Sequence, residues 1–302
     1  MKKHQRLNGL VAASFTPMDE AGNLKLETIT AYADWLAKAG LTGIFVNGTT
    51  GESLSLTTEE RKLVLGKWIE AVDGRYKVIA HVGSNSIKEA EELASHAQSI
   101  GADAIAAMAP CFFKPSTVSD LLTFFKPVAG AASKLPFYYY NMPSMTGVSL
   151  SVVQFLREGS RLIPNLAGVK FTHNNLMELG ECIALKQGEF EILNGYDETL
   201  IAGLSFGAEG GVGSTYNYIP AIYQELIKDF QAGDMEKART LQLKAIEVVE
   251  IIIKYGGGVR GGKAIMNLIG IDCGPCRLPL SPFKEEEYVL LKDDLKRIGF
   301  FK

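Results

Sequence analysis

An alternation between short apolar runs and longer amphipathic segments most strongly constrains how this chain can fold. The segments between the runs, such as residues 28–40 and 88–102, place apolar residues at the spacing of one helix face. The runs begin roughly 20–35 residues apart, the length of one strand and one helix. They predict eight strands, at residues 10–15, 43–47, 77–83, 104–108, 136–141, 167–172, 191–195 and 210–215.

Eight strand–helix units in roughly 230 residues predict an α/β fold, a (β/α)8 TIM barrel with a C-terminal helical extension. After about residue 219 only helical patterns remain. We therefore expect a catalytic barrel over residues 1–220 and an extension over residues 221–302, packed on the barrel because no linker-like segment separates them. A doubly wound open sheet is the alternative, although no G-x-G-x-x-G motif follows the first predicted strand.

The composition gives no indication that the protein binds nucleic acid or membranes. The 302 residues are 47% hydrophobic and 22% charged, and a net charge of −3 offers no basic surface to a polyanion. No apolar run reaches the roughly 20 residues that span a bilayer, and the first residues lack the apolar core of a signal peptide. Four cysteines in such a chain indicate free thiols and a cytoplasmic location. The four histidines share no ligand spacing, so we expect no metal.

Lys170 is the residue that fits a buried strand least. It lies in the sixth predicted strand, and side-chain alternation puts it on the face opposite Val169 and Phe171, pointing into the barrel. Burial removes the hydration of an ammonium group and lowers its pKa. A neutral lysine amine attacks a ketone to form a Schiff base, so the position predicts covalent catalysis.

Polar residues follow other predicted strands at the same end of the barrel, where such barrels carry their active sites. Tyr140 ends the fifth strand and can carry a proton, while Thr49 and Thr50 follow the second strand in a glycine-rich turn that suits a small anion. Each feature alone has a structural explanation: an ion-paired lysine, a core tyrosine and an ordinary turn. Together they predict a Schiff-base enzyme for an α-keto acid.

The order of several motifs along the chain resembles the N-acetylneuraminate lyase and dihydrodipicolinate synthase superfamily of pyruvate-dependent class I aldolases. The motifs are GTTGES, YYNMPSMTGV, GVKFT, NGYDE, GVGSTYN and GPCRLPL. The resemblance implies that Lys170 forms the imine, Tyr140 transfers protons, and Thr49 and Thr50 hold the pyruvate carboxylate. It further implies that the residues lining the rest of the substrate channel are Thr172, Gly195, Asp197, Glu198 and Ser214.

The resemblance is nearer to the sialic acid lyase branch, which implies reversible cleavage of N-acetylneuraminate to N-acetyl-D-mannosamine and pyruvate without a cofactor, in a homotetramer. The synthase branch typically has an arginine where this chain has Met145, and a tyrosine pair where it has Phe112 and Phe113. Three alternatives stay open at this point. They are dihydrodipicolinate synthase, another 2-keto-3-deoxy sugar acid aldolase, and a barrel that binds sialic acid without catalysis.

Two short motifs resemble redox and nucleotide-binding motifs, but their surroundings do not fit those functions. The sequence CGPC at residues 273–276 matches a thioredoxin-type redox motif but lies in the helical tail. The sequence GGVRGGKA at residues 257–264 nearly matches a P-loop, but Ala264 offers no hydroxyl to Mg²⁺ and the segment follows a helix. We expect a turn in the first case and a loop between helices in the second.

Overall fold

Eight parallel strands close into one barrel in chain order, with β8 paired to β1, in the computed structural model, which describes residues 6–301. This confirms the predicted TIM barrel and excludes the open sheet. Most strands end slightly before their predicted ends, because the glycine and short polar residues that follow form turns. The strands are β1 Gly9–Ala13, β2 Gly43–Val46, β3 Lys77–His81, β4 Ala104–Met108, β5 Phe137–Asn141, β6 Leu166–Phe171, β7 Glu191–Asn194 and β8 Gly210–Gly213.

The helices between the strands form the outer layer, and several begin at side-chain caps. Thr57 and Thr117, for example, each accept a hydrogen bond from the backbone N–H three residues later. None of the helices in residues 6–301 is long and apolar enough to cross a membrane. The helices are α1 Thr28–Lys38, α2 Thr58–Val72, α3 Ile87–Ser99, α4 Val118–Ala131, α5 Pro143–Thr146, α6 Val152–Leu162, α7 Leu176–Ala184, α8 Leu200–Phe206, α9 Pro220–Gln231, α10 Met235–Lys254, α11 Gly257–Leu268 and α12 Glu285–Arg297.

Side chains alternate between two separate cores. Val169 and Phe171 pack between the sheet and the helices, whereas Phe45 and Tyr140 belong to a smaller cluster inside the barrel. Lys170 lies against these two interior rings and therefore points inward, as the alternation predicts.

A register shift in β6 sets which residues of β5 and β6 lie side by side. Phe137 pairs with Leu166 but Tyr138 pairs with Gly168, so Ala167 is an extra residue in β6. The shift places Tyr140 directly beside Lys170. Glycine is required at residue 168, because a Cβ there would lie 1.8 Å from the carbonyl oxygen of Glu191 on β7. The bulge thus brings together the two side chains predicted to be catalytic.

The chain after β8 is helical, as expected, and its helix α11 packs against the mouth of the barrel. The expectation of a loop at residues 257–264 is wrong, because those residues form the first turns of α11. The glycines there allow α11 to pack closely against the barrel, since a Cβ at Gly262 would lie 2.8 Å from the ring of Phe15. The boundary at residue 220 stays a prediction, and residues 1–5 and 302 of the two predicted parts lie outside the described residues.

Candidate active site

Lys170 is buried at the carboxyl end of β6, with 5% of its surface exposed. Its Nζ lies 4.1 Å from the centre of the Tyr140 ring and 4.4 Å from that of Phe45. Within residues 6–301 the amine has no hydrogen-bond or ion-pair partner. Burial lowers the pKa of Lys170 to about 7, and the carboxylate of Asp197 partly opposes that effect. The site therefore holds an amine that is substantially neutral at neutral pH.

Tyr140 reaches from β5 across the mouth of the barrel to the turn after β2. Its hydroxyl oxygen lies 3.1 Å from Thr49 Oγ1 and 2.9 Å from the sulfur of Met142. Burial raises the pKa of Tyr140 to about 12, and the hydrogen bond with Thr49 acts in the opposite direction. The phenol thus keeps its proton at neutral pH and lies between the amine and the Thr49 turn.

Thr49 and Thr50 begin a single 3-10 turn, Thr49–Gly51, directly after β2. The turn is tied to the barrel because Thr16 donates its hydroxyl to the carbonyl oxygen of Gly51, at 2.8 Å. Thr49 is partly exposed, and Thr50 is buried. This pair of hydroxyl and backbone N–H groups lies at the same end of the barrel as Lys170, as the sequence predicts.

Asp197 lies in the turn after β7 and is held against β8. Its Oδ2 accepts hydrogen bonds from the backbone N–H and the hydroxyl of Thr215, at 2.9 and 2.7 Å. A Cβ at Gly213 would lie 1.6 Å from Asp197 Oδ1, so the glycine of β8 makes room for the carboxylate. Burial raises the pKa of Asp197, while Thr215 and Lys170 favour its charged form. Asp197 therefore acts electrostatically on the amine of Lys170.

Thr172 and Gly195 meet where β6 and β7 end. Thr172 is buried, and a Cβ at Gly195 would lie 2.0 Å from its Oγ1. Only glycine therefore fits at residue 195 with the threonine hydroxyl in this place. Their part in lining the substrate channel stays a prediction.

Glu198 and Ser214 lie further out, in the turns after β7 and β8, and each is partly exposed. Burial raises the pKa of Glu198. Ser214 faces helix α11, because a Cβ at Gly258 would lie 3.4 Å from its Oγ. All nine predicted site residues therefore lie at or just beyond the carboxyl ends of their strands.

A cavity of about 360 Å³ opens at this end on the side of β2, β4 and β5. The cavity is lined by Thr49 and also by Met108 of β4, Met145 of α5 and Val259 of α11. The residues predicted to hold the rest of the substrate follow β6, β7 and β8, and they are not among the residues that line this cavity.

Three further residues shape the site and were not predicted from the sequence. Phe45 could have been found, since alternation along β2 puts it inside the barrel beside Lys170. Met142 contacts the Tyr140 hydroxyl, but no pattern signals a residue in a loop. His81 donates from Nδ1 to the carbonyl of Asn47 and accepts at Nε2 from Met108 N–H. Burial lowers the pKa of His81 well below its usual value, so it is a neutral support for the turn after β2.

Metal-ligating side chains are not clustered in the described part of the chain. Among residues 6–301 there is no group of three or more His, Cys, Asp or Glu side chains that could hold a metal ion. The four cysteines all carry free thiols.

Comparisons with known proteins place this site in a family. The profile of the Dihydrodipicolinate synthetase family matches residues 6–298. The chain is 43% identical over 302 residues to an N-acetylneuraminate lyase of Mus musculus, covering 98% of this chain and 94% of that protein.

Solved structures agree in fold over nearly the whole length. N-acetylneuraminate lyase of Proteus mirabilis superposes with a TM-score of 0.95 at 38% identity, covering 98% of this chain and all of that one (100%). A catalytic lysine mutant of the Ruminococcus gnavus sialic acid aldolase superposes with a TM-score of 0.93 at 30% identity, covering 99% and 98%. The chain belongs to the dihydrodipicolinate synthetase family.

Proposed function

We propose that this protein is an N-acetylneuraminate lyase, a class I aldolase that reversibly cleaves N-acetylneuraminate to N-acetyl-D-mannosamine and pyruvate. The observation that carries the proposal is the buried, unpaired amine of Lys170 beside Tyr140. The names of the similar proteins from Mus musculus and Proteus mirabilis support the choice of substrate. The reaction belongs to the breakdown of sialic acid when it runs toward pyruvate.

The lowered pKa of Lys170 makes the first step feasible at neutral pH. With a pKa of about 7, about half of the amine is neutral at pH 7, against about one part in 3000 for an ordinary lysine. The neutral amine attacks the C2 ketone of the open-chain sugar acid, and loss of water leaves a protonated imine. No metal or organic cofactor is required, because the imine itself accepts the electron pair of the bond that breaks.

Tyr140 is proposed to move the proton that cleavage requires. The positive imine forms beside the phenol, where its charge lowers the cost of removing the phenolic proton. The phenolic proton is taken up by the hydroxide that leaves as water when the imine forms. The resulting phenolate of Tyr140 takes the proton of the C4 hydroxyl, the C3–C4 bond breaks, and the electrons of that bond form an enamine. Protonation of the enamine at C3 and hydrolysis of the imine release pyruvate and restore Lys170.

The two sides of Lys170 are proposed to hold the two halves of the substrate. Thr49 and Thr50 bind the carboxylate, since the turn presents hydroxyl and N–H donors next to Tyr140. The sugar chain extends along β6 to β8, where acceptor and hydroxyl groups suit vicinal hydroxyls. These residues are Thr172, Gly195, Asp197, Glu198 and Ser214.

The substrate assignment is tested by supplying pyruvate with either N-acetylmannosamine or aspartate semialdehyde and measuring which aldehyde is consumed. We expect consumption of N-acetylmannosamine, because Met145 offers no charge to the carboxylate of the semialdehyde. The Lys170→Met variant is the matched control and should consume neither. Preference for the semialdehyde would instead assign the protein to dihydrodipicolinate synthase.

The proposed assembly is a homotetramer, and the proposed location is the cytoplasm. An exposed aromatic pair supports association: Phe112 and Phe113 are 76% and 85% exposed, and their rings lie 4.9 Å apart. Free thiols are in keeping with a reducing compartment. Light scattering of the purified protein tests the assembly, and a monomeric mass would contradict it. Fractionation of cells that produce the protein tests its location.

A further inference from the structure

A buried ion pair joins the C-terminal extension to the turn that carries Thr49 and Thr50. Lys263 of α11 donates to Glu52 Oε1 at 2.8 Å and to the carbonyl oxygen of Pro275 at 2.7 Å. The side chains of the pair are 1% and 2% exposed. Nothing in the mechanism above uses them. An ion pair this deeply buried calls for an explanation, because its desolvation offsets much of its attraction.

The glycines before Lys263 explain how the pair can form. A Cβ at Gly261 would lie 2.8 Å from the carbonyl oxygen of Ile252, and one at Gly262 would lie equally close, 2.8 Å, to the ring of Phe15. Without these side chains, α11 lies directly on the mouth of the barrel. The glycines of the segment that resembles a P-loop therefore have a structural role, because they allow Lys263 to reach Glu52.

Glu52 has a left-handed backbone conformation, which residues other than glycine seldom adopt. It has φ +64°, in the left-handed region, between two consecutive 3-10 turns, Thr49–Gly51 and Ser53–Ser55. Such a residue persists when its surroundings hold it, and functional sites often contain one. The backbone N–H of Glu52 donates to the carbonyl of Thr49 at 3.0 Å, so its position is coupled to that of the turn.

Arg277 holds the same turn from a second direction. Its backbone N–H donates to Glu52 Oε2 at 2.7 Å. Its guanidinium donates to the carbonyl oxygen of Ser55 at 2.8 Å and makes two hydrogen bonds to Glu60, at 2.8 and 2.7 Å. Both carboxylate oxygens of Glu52 are therefore held by the extension.

We infer that Lys263 and Arg277 are positioning residues for the carboxylate of the α-keto acid, acting through Glu52 on the turn of Thr49 and Thr50. This inference rests on the proposed function, since it needs a substrate carboxylate at that turn. The extension then completes the pyruvate half of the site without touching the substrate. Displacing the turn weakens carboxylate binding but leaves the amine of Lys170 intact, since that amine is held by β6.

The experiment measures the pyruvate concentration that gives half-maximal trapping of the imine by borohydride. In Lys263→Met we expect this concentration to rise roughly 10- to 100-fold, since small misplacements of binding groups have effects of that size. Trapping of acetone, a ketone without a carboxylate, should be unchanged. In the condensation direction, KM for pyruvate should rise while kcat and KM for N-acetylmannosamine change little.

Two further variants separate positioning from stability. Lys263→Met with Glu52→Gln removes the unpaired charge, so this double variant should regain stability but keep the weakened pyruvate trapping. Lys254→Met breaks an ion pair with Asp294 inside the extension and should leave trapping unchanged. If Lys263→Met does not fold, Arg277→Met should show a smaller shift in the same direction.

An unchanged half-saturating pyruvate concentration in every folded Lys263 and Arg277 variant overturns the inference. So does full recovery of pyruvate trapping together with stability in the double variant, or an equal loss of acetone trapping. Absence of any adduct in the natural protein overturns the proposed function itself, and this inference with it.

Discussion

Lys170 and Lys263 are both almost fully buried, with 5% and 1% of their surfaces exposed, yet their surroundings are opposite. Lys263 has a carboxylate and a carbonyl oxygen within hydrogen-bond distance. Lys170 has two aromatic rings and no hydrogen-bond or ion-pair partner among the described residues. Burial lowers the pKa of Lys170 to about 7.

Burial alone therefore does not make a lysine reactive. A partner that accepts hydrogen bonds keeps a buried lysine in its charged, unreactive form. Aromatic rings stabilise a cation only weakly by comparison, and they exclude water. The barrel interior therefore favours a nucleophile at residue 170, while the junction with α11 places residue 263 in an ion pair with Glu52.

The largest expected effect is the loss of activity in Lys170→Met. Turnover of N-acetylneuraminate should fall at least about 10³-fold, because the imine can no longer form at residue 170. Pyruvate release from N-acetylneuraminate, measured by a coupled assay, checks this. Lys263→Met is the comparison, and it should retain kcat; equal losses in the two variants would contradict the contrast between the lysines.

Tyr140→Phe should reduce kcat by about 10²–10⁴-fold, the usual contribution of a positioned proton donor and acceptor. The imine with pyruvate should still form, since the phenyl ring keeps its place against Lys170. Turnover and borohydride trapping, measured on the same preparation, separate the two steps. Loss of trapping together with turnover would indicate that the tyrosine supports the lysine rather than the cleavage step.

The two lysines should also differ in their effect on stability. Lys263→Met leaves Glu52 buried without its cation and should lower the free energy of unfolding by about 3–5 kcal/mol. Lys170→Met should raise it at pH 7, by up to about 5 kcal/mol, because the folded-state pKa lies below that of the unfolded chain. Urea denaturation measures both.

The stabilisation expected from Lys170→Met should depend on pH, and this dependence serves as a control. Between a folded-state pKa of about 7 and an unfolded value near 10.5, the unfolded chain binds more protons. The stability cost of Lys170 is therefore complete below pH 7 and disappears as the pH rises toward 10.5. A stabilisation by Lys170→Met that does not shrink over this range would contradict the assignment.

The turnover of the natural protein should fall about tenfold for each pH unit below 7, as the amine of Lys170 becomes protonated. The neighbouring Tyr140 keeps its proton over that range, and His81 stays neutral because burial lowers its pKa well below its usual value. A pH profile of kcat/KM tests this. An acidic limb near the pKa of an ordinary lysine would contradict the account.

The smallest expected effect is in the Asp197→Asn variant, where the acidic limb of the pH profile should shift. The Asp197 carboxylate raises the pKa of Lys170 against the effect of burial, so its removal should move the limb to lower pH, by about one unit. Trapping with pyruvate alone is the suitable measurement, since Asp197 is also a proposed sugar-binding residue. A shift toward higher pH would show that Asp197 does not act on the amine as proposed.

The sequence was sufficient to predict the barrel, because eight apolar runs at regular spacing leave few other folds. Alternation placed Lys170 inside, and chain order brought Tyr140 next to it. The sequence could not reveal that a bulge at Ala167 sets the pairing of Tyr140 with Lys170, since the register of β5 and β6 depends on contacts between distant segments. Nor could it connect Glu52 with Lys263, which lie far apart in the chain and meet only after α11 packs on the barrel.

Peptide mapping after borohydride reduction in the presence of pyruvate shows directly which lysine forms the imine. We expect one reduced adduct, on the peptide that contains Lys170, and none on the peptide that contains Lys263. An adduct on any other lysine, or an unmodified Lys170 after reduction with saturating pyruvate, would contradict the proposed role of Lys170.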